Sequence, residues 1–350
     1  MKTPITNLLS QATFEFQKGK PIGSGTYGSV YEAYDPQLGA DLAVKIIPIS
    51  SFSDVDAYFR EARMLYLTRH HNIAQVNYAG KDQDFVYLMM PHYRKGSMKS
   101  LIDTRFLTVR EIIRYSIQFL SGLNNIHVKG LLHFDLKLEN LLISDNNQAL
   151  VSDFGLAQST DVHGNAEVLG TTIAFAPPEF FTDGHPIKNF KYDIYQAGFT
   201  MYRMCNGDKM LEQQYHDICK GNPNNIVPAI IKGDFPDRSA YHMHIPKPLR
   251  SVINKALNID LNIRYDSIID MLNQLSSVKF ASDWQMKQTL NGNEWDNPDY
   301  TVREKAILGA WEIECRRKST GNRVTKYCAK VFKESEKKTL LYNCLGMEWK

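Results

Sequence analysis

Along the first fifty residues apolar and polar positions alternate with the period of a strand. From about residue 14 β-branched and aromatic residues interleave with polar ones, and LAVKIIPI (42–49) reads as a largely buried strand. The period then changes. SDVDAYFREARMLYLTRH (53–70) places its apolar residues at helical spacing with Ser53 as N-cap, and DFVYLMM (84–90) returns to a strand. TVREIIRYSIQFLSGLNNIHVKG (108–130) puts Val109, Ile112, Ile113, Ile117, Leu120 and Leu123 on one stripe, which Gly130 can close. Beyond about residue 190 the spacing is mostly helical, clearest in KYDIYQAGFTMYRM (191–204) and DSIIDMLNQL (266–275). NGNEWDNPDY, ending residues 281–300, reads as a linker. After it AWEIECRRK, RVTKYCAKVFK and KTLLYNCLGMEW alternate like three strands. The pattern predicts an α+β chain: a β-rich front of about 14–90 after an extension 1–13, a helical back of about 94–280, a linker 281–300 and a β-rich appendage 301–350.

Composition changes this picture in one place. Over all 350 residues, 43% apolar, 23% charged and a net charge of +3 are ordinary for a globular chain and make no general case for nucleic acid. Residues 301–350, however, carry 12 basic and 6 acidic side chains, so the appendage is basic and the remainder slightly acidic. RRKSTGNR (316–323) is its basic turn; through the appendage the chain can meet an acidic partner or make an intramolecular contact, or the turn is simply solvated, and no recognised nucleic-acid module accompanies it. No run approaches the roughly 18 apolar residues of a membrane span. The start lacks a signal-peptide pattern, and the five scattered cysteines have no CxxC pair, so a cytoplasmic chain with free thiols is expected. The histidine pairs His70-His71 and His242/His244 are expected to pack or face solvent rather than bind metal.

Five short stretches carry chemistry. IGSGTYGSV sets Gly23, Gly25 and Gly28 in GxGxxG spacing, where the absence of Cβ lets backbone amides approach phosphate oxygens. Alone that is a glycine-rich turn of any kind. A strand follows it instead of a helix, which excludes the dinucleotide fold. On that strand Lys45 sits among apolar residues and needs an anion, for which Glu61 on the next helix is the candidate. In LLHFDLKLENLLI (131–143), Asp135 can accept a hydroxyl proton and Lys137 can neutralise a transferring phosphoryl group. Asn140, with Asp153 of VSDFGLAQ, supplies oxygen ligands for Mg²⁺.

GxGxxG, AVK, a helical Glu, HxDxKxxN and DFG in this order resemble the eukaryotic-type protein kinases over residues 14–280. The resemblance implies a bilobal fold and the cofactors ATP and Mg²⁺, or Mn²⁺. It gives Ile22, Gly23, Gly25, Gly28, Val30, Ala43, Lys45, Met90, His92 and Leu142 to the nucleotide, with Met90 before a Pro91–Tyr93 hinge. Asp135 becomes the base, Asn140 and Asp153 the metal ligands, and Lys45–Glu61 an ion pair. TTIAFAPPEF resembles the substrate-binding segment of such kinases, although it ends Pro177-Pro178-Glu179 where relatives read Ala-Pro-Glu. The same resemblance pairs Glu179 with Arg264 and sets Asp193 under the catalytic loop.

Lys137 and Thr172 resemble the serine/threonine class, so the expected substrate is a protein hydroxyl. Tyrosine or dual specificity, or a weakly active scaffold, are the alternatives. The departure is Phe134, in the position where most relatives carry an arginine that reads a phosphate on the activation segment. Without that donor the usual switch is expected to be absent, unless Phe134 merely packs and another cation serves. The terse segment with Phe134 also inclines the reading toward a bacterial or phage-encoded kinase.

Overall fold

The computed structural model describes residues 13–24, 28–51, 59–182, 187–280 and 282–346, without the side chains of Ser24, Glu61 and Ile187. The chain divides into two compact units, residues 1–66 with 75–92, and 67–74 with 93–350. Together they give the α+β composition expected from the sequence: one unit is a strand sheet with one described helix, the other mainly helical.

The first unit is built on five antiparallel strands in the order β1-β2-β3-β5-β4. These are β1 (Gln17–Ser24), β2 (Ser29–Asp35), β3 (Ala40–Pro48), β4 (Tyr78–Lys81) and β5 (Phe85–Pro91). Strict alternation on β3 separates two apolar layers. Leu42 and Val44 pack with Ala33 and Met89 on one face, while Ile47, Val86 and Leu88 pack with Ala62 of helix α1 (Arg60–Leu67) on the other. The N-cap expected at Ser53 lies outside the described residues. Gly28 is needed where it stands, because a Cβ there would come within 2.4 Å of the Ile46 carbonyl oxygen.

In the second unit α2 (Met98–Thr104) precedes α3 (Val109–Val128), whose start is a reciprocal capping box between Thr108 and Glu111. Gly130, at φ +68°, ends the run as the sequence predicts. Short strands follow: β6 (Leu131–Leu132), β7 (Leu141–Ile143), β8 (Ala149–Val151) and β9 (Gln158–Ser159), pairing β6 with β9 and β7 with β8. β10 (Asn165–Glu167) pairs with β11 (Ile187–Asn189), and α4 (Glu179–Thr182) stands between them. α5 (Lys191–Asn206) is buried from Tyr192 to its end. α6 (Asp208–Cys219) and α8 (Lys247–Ala256) pack on it, α7 (Ile226–Lys232) packs on α6, and α9 (Ile268–Ser276) packs on α3 and α8.

The last seventy residues depart from the sequence pattern. The stretch read as a linker holds two strands, β12 (Gln285–Thr289) and β13 (Gly292–Asp296). Leu290-Asn291 is their two-residue hairpin turn, and Gly292, the first residue of β13, stands where a Cβ would fall 2.0 Å from the Glu304 carbonyl oxygen, so the polar Asn/Gly composition reflects a tight turn and close strand packing rather than slack chain. β14 (Tyr300–Ile307), β15 (Ala310–Arg317) and β16 (Ala329–Val331) complete a five-stranded antiparallel meander. KTLLYNCLGMEW, read as a strand, instead falls mostly in helix α10 (Glu334–Leu345); its buried residues Leu341, Cys344 and Leu345 sit at i, i+3 and i+4, a helical rather than an alternating repeat.

This sheet is joined to the helices before it. Asp283 accepts from the Arg110 amide (2.9 Å) and the Thr108 hydroxyl (3.1 Å), and Gln285 Nε2 donates to the Phe106 carbonyl (2.6 Å). Phe106 and Met243 pack on an apolar cluster that includes Trp284, Trp295 and Ile313. His244, expected at the surface or in hinge packing, is buried beneath the sheet, where Trp295 Nε1 donates to its Nδ1 at 3.3 Å. All five cysteines are free thiols. Among the described residues no helix is long and apolar enough to cross a membrane.

Candidate active site

In the first unit the β2–β3–β5 register gathers the residues assigned to the nucleotide. Val30 lies opposite Lys45, and Ala43 opposite Met90, so the four share one face of the sheet, the face that α1 covers. Lys45 is only 4% exposed there. Glu61 lies in α1, but its side chain is outside the description, as is Gly25, so the ion pair and the glycine loop stay expectations. Gly23 is on β1, Ile22 beside it is exposed, and His92 follows β5.

The second unit holds the loop between β6 and β7. Asp135 is buried, and Lys137 Nζ stands 3.0 Å from its Oδ1 and 2.9 Å from its Oδ2. The same ammonium reaches Thr172 Oγ1 at 3.4 Å, which joins three sequence-assigned residues in one chain of contacts. Asn140 donates Nδ2 to the Asp135 carbonyl (2.8 Å) and carboxylate (3.0 Å), leaving Oδ1 as its oxygen donor. Ser152 bonds the Asn140 carbonyl through its amide (2.9 Å) and hydroxyl (3.0 Å), so the Asp153 that follows is tied to the Asn140 turn. Asp153 has φ +59°, and Phe154 after it is buried edge-on to His133. Leu142 lies on β7, half-buried. An amide oxygen and a carboxylate are hard donors that fit Mg²⁺, which takes few protein ligands and fills its shell from water and phosphate. Among the described residues no cluster of His, Cys, Asp and Glu offers a competing all-protein metal site.

What fixes this loop is α5. Asp193, fully buried, accepts the amides of His133 and Phe134 at 2.8 Å each, and His127 Nε2 meets it at 2.8 Å. Burial opposes its ionisation, yet the His127 bond, the positive potential of His127 and His133 and the His133 amide prevail and hold its carboxyl below the usual range. Gln196 accepts from the Leu136 amide (3.0 Å) and donates to the Phe134 carbonyl (3.0 Å); Thr200 donates to the Leu136 carbonyl (3.4 Å). Sequence reasoning named Asp193 and missed the other two. Their signal was present: polar residues three and four apart in an otherwise apolar helix.

Phe134 holds φ +63° with a fully buried ring, edge-to-face with Tyr192 at 5.1 Å. The Tyr192 hydroxyl donates to Thr171 Oγ1 at 2.8 Å; burial pushes its pKa up, which keeps it a neutral donor. Glu179 and Arg264 form a two-armed pair at 2.7 and 3.1 Å, as the resemblance implies.

Residues 16–275 match the family described as the protein kinase domain. Among curated relatives, mitogen-activated protein kinase kinase kinase 1b of Physcomitrium patens is 31% identical over 219 residues, covering 61% of this chain and 28% of that protein. Serine/threonine-protein kinase PknD of Protochlamydia amoebophila is 25% identical over 343 residues, covering 88% of this chain and 34% of the relative. CBL-interacting serine/threonine-protein kinase 15 of Arabidopsis thaliana is 28% identical over 229 residues, covering 61% and 54%. The chain thus spans between about a quarter and a half of the length of these relatives.

Proposed function

The chain belongs to the protein kinase domain family, and from that premise we propose that it transfers the ATP γ-phosphate to serine and threonine hydroxyls of protein substrates, without gating by a phosphate on its own activation segment. The observation that carries this reading is Lys137, whose ammonium meets both the Asp135 carboxylate and the Thr172 hydroxyl.

In this mechanism Asp135 accepts the proton of the incoming hydroxyl, and Lys137 balances negative charge as the phosphoryl group arrives. Asn140 and Asp153 are the residues that would hold Mg²⁺, which neutralises charge on the phosphate oxygens. Lys45 is assigned to the α- and β-phosphates, and Val30, Ala43 and Leu142 to the adenine. Asp193, Gln196 and Thr200 hold the loop in place, because together they bond main-chain atoms on both sides of Asp135: Asp193 before it, Thr200 after it and Gln196 on both. Freedom from gating is supported by Phe134, a ring with no donor for a phosphate. The Phe134–Tyr192–Thr171 contact anchors the segment next to Thr172 with neutral groups instead.

The test is transfer by phosphatase-treated full-length protein with Mg²⁺ and γ-labelled ATP, beside Asp135→Ala. Prompt labelling of serine or threonine, reduced by about 10²–10⁴ in the variant, is expected. A lag that disappears after autophosphorylation would overturn the absence of gating. Label on tyrosine would overturn the specificity, and no transfer would leave a scaffold.

A further inference from the structure

On α5, Asp193, Gln196 and Thr200 stand at i, i+3 and i+7 and all bind the catalytic loop. The next position on that face, i+10, is Arg203. Its side chain is 4% exposed, and it spends its donors on two carboxylates. Nη1 and Nη2 meet Glu139 at 3.0 and 2.9 Å, while Nε and Nη2 meet Asp208 at 2.7 and 2.9 Å. Asp208 has a second cation in Lys99, at 3.3 Å. The guanidinium also lies over the ring of Phe175, 4.8 Å from its centroid, and Phe175 packs on Phe199 of α5.

The two partners of Arg203 outside its own neighbourhood are telling. Glu139 is the residue before Asn140 and two after Lys137. Phe175 is three residues after Thr172, in the turn Ile173–Phe175. A buried guanidinium needs its counter-charges close, so its position fixes theirs, and a planar two-armed pair fixes direction as well as distance. Glu139 remains 39% exposed, and among the described residues Arg203 is the cation that pairs with its carboxylate.

We infer that Arg203 is a positioning residue for phosphoryl transfer: through Glu139 it orients the turn that carries Asn140, and through Phe175 it holds the segment that carries Thr172. The metal ligand and the base–lysine–threonine chain then share one anchor on α5. This rests on the proposed kinase activity and adds to it a residue that touches neither ATP, metal nor hydroxyl.

The test is steady-state kinetics of the full chain with dephosphorylated casein as acceptor, for the unsubstituted protein, Glu139→Gln, Arg203→Lys and the double variant. Glu139→Gln changes a half-exposed side chain and preserves the fold. It is expected to lower kcat by about tenfold or more and to raise the Mg²⁺ needed for half-maximal rate, with KM for ATP little changed. Arg203→Lys, which keeps charge and loses the second arm, should fall similarly. The double variant should be no worse than the more damaging single one, because both break the same link. Native kcat and Mg²⁺ dependence in Glu139→Gln would sink the inference, even if Arg203→Lys does not fold; so would losses that multiply in the double variant. Absence of transfer by the unsubstituted protein would instead take down the functional reading on which it rests.

Discussion

Phe134 brings two demands to a single residue. Its backbone occupies the left-handed region, uncommon for an aromatic residue, while its ring fills a site with no solvent exposure. The backbone demand is met by hydrogen bonds: Asp193 takes its amide and Gln196 its carbonyl. The ring demand is met by Tyr192. Phe134→Ala should therefore lower unfolding free energy by about 3–5 kcal/mol, measured by denaturant titration, and release the Tyr192 ring that holds Thr171. At this scale the sequence was most readable where chemistry is spelled by residue type. Asp135, Lys137 and Asn140 were named through the resemblance that the order and spacing of the motifs carries, and their side chains meet in the fold. Arg203 and Gln196 did not stand out, because an arginine or glutamine on a helix is ordinarily solvated, and only the tertiary fold shows that this helix has no solvated face.

An element whose every side is buried has to satisfy its polar groups internally, and α5 does so with a row of side chains turned toward one loop. Asp193, Gln196, Thr200 and Arg203 lie along it like successive fasteners, each on a different stretch of residues 133–139. Gln196→Leu should act at two bonds at once, stranding the Leu136 amide and the Phe134 carbonyl. A loss of about 1–3 kcal/mol for each stranded group is expected in unfolding experiments, with a fall in kcat at 25 °C well below the melting temperature. Elements also mark where pattern reading failed. The period-3.6 residues of α10 were few and interrupted, so alternation looked as good. β12 and β13 were hidden by Asn291 in their turn and by Gly292 and Asn293 at the start of β13. Long segments with a full apolar stripe, such as α3, raised no such ambiguity.

The second unit as a whole is helices plus an appended sheet, and their junction contains an unusual group. His244 is buried, accepts from Trp295 at Nδ1, and has no hydrogen-bond partner at Nε2 among the described residues. Burial first, then the charges of His242 and Arg250, push its pKa down to about 3. An unfolded histidine titrates near 6.5, so the folded chain refuses a proton that the unfolded chain accepts. Stability from this group is complete above about pH 6.5 and is lost as pH falls toward 3. Denaturation midpoints should decline between pH 7 and 5, and His244→Gln should flatten that decline. The same junction has an optical consequence. The chain's four tryptophans are Trp284, Trp295, Trp311 and Trp349, so none lies in helices α1 to α9. Intrinsic tryptophan emission therefore arises outside those helices, with Trp295 and Trp311 on the sheet and Trp284 in the cluster beneath it, whereas far-ultraviolet dichroism is dominated by the helices. If the two signals melt together, sheet and helices unfold as one cooperative body; a fluorescence transition that comes first would record the sheet letting go of a still-helical protein.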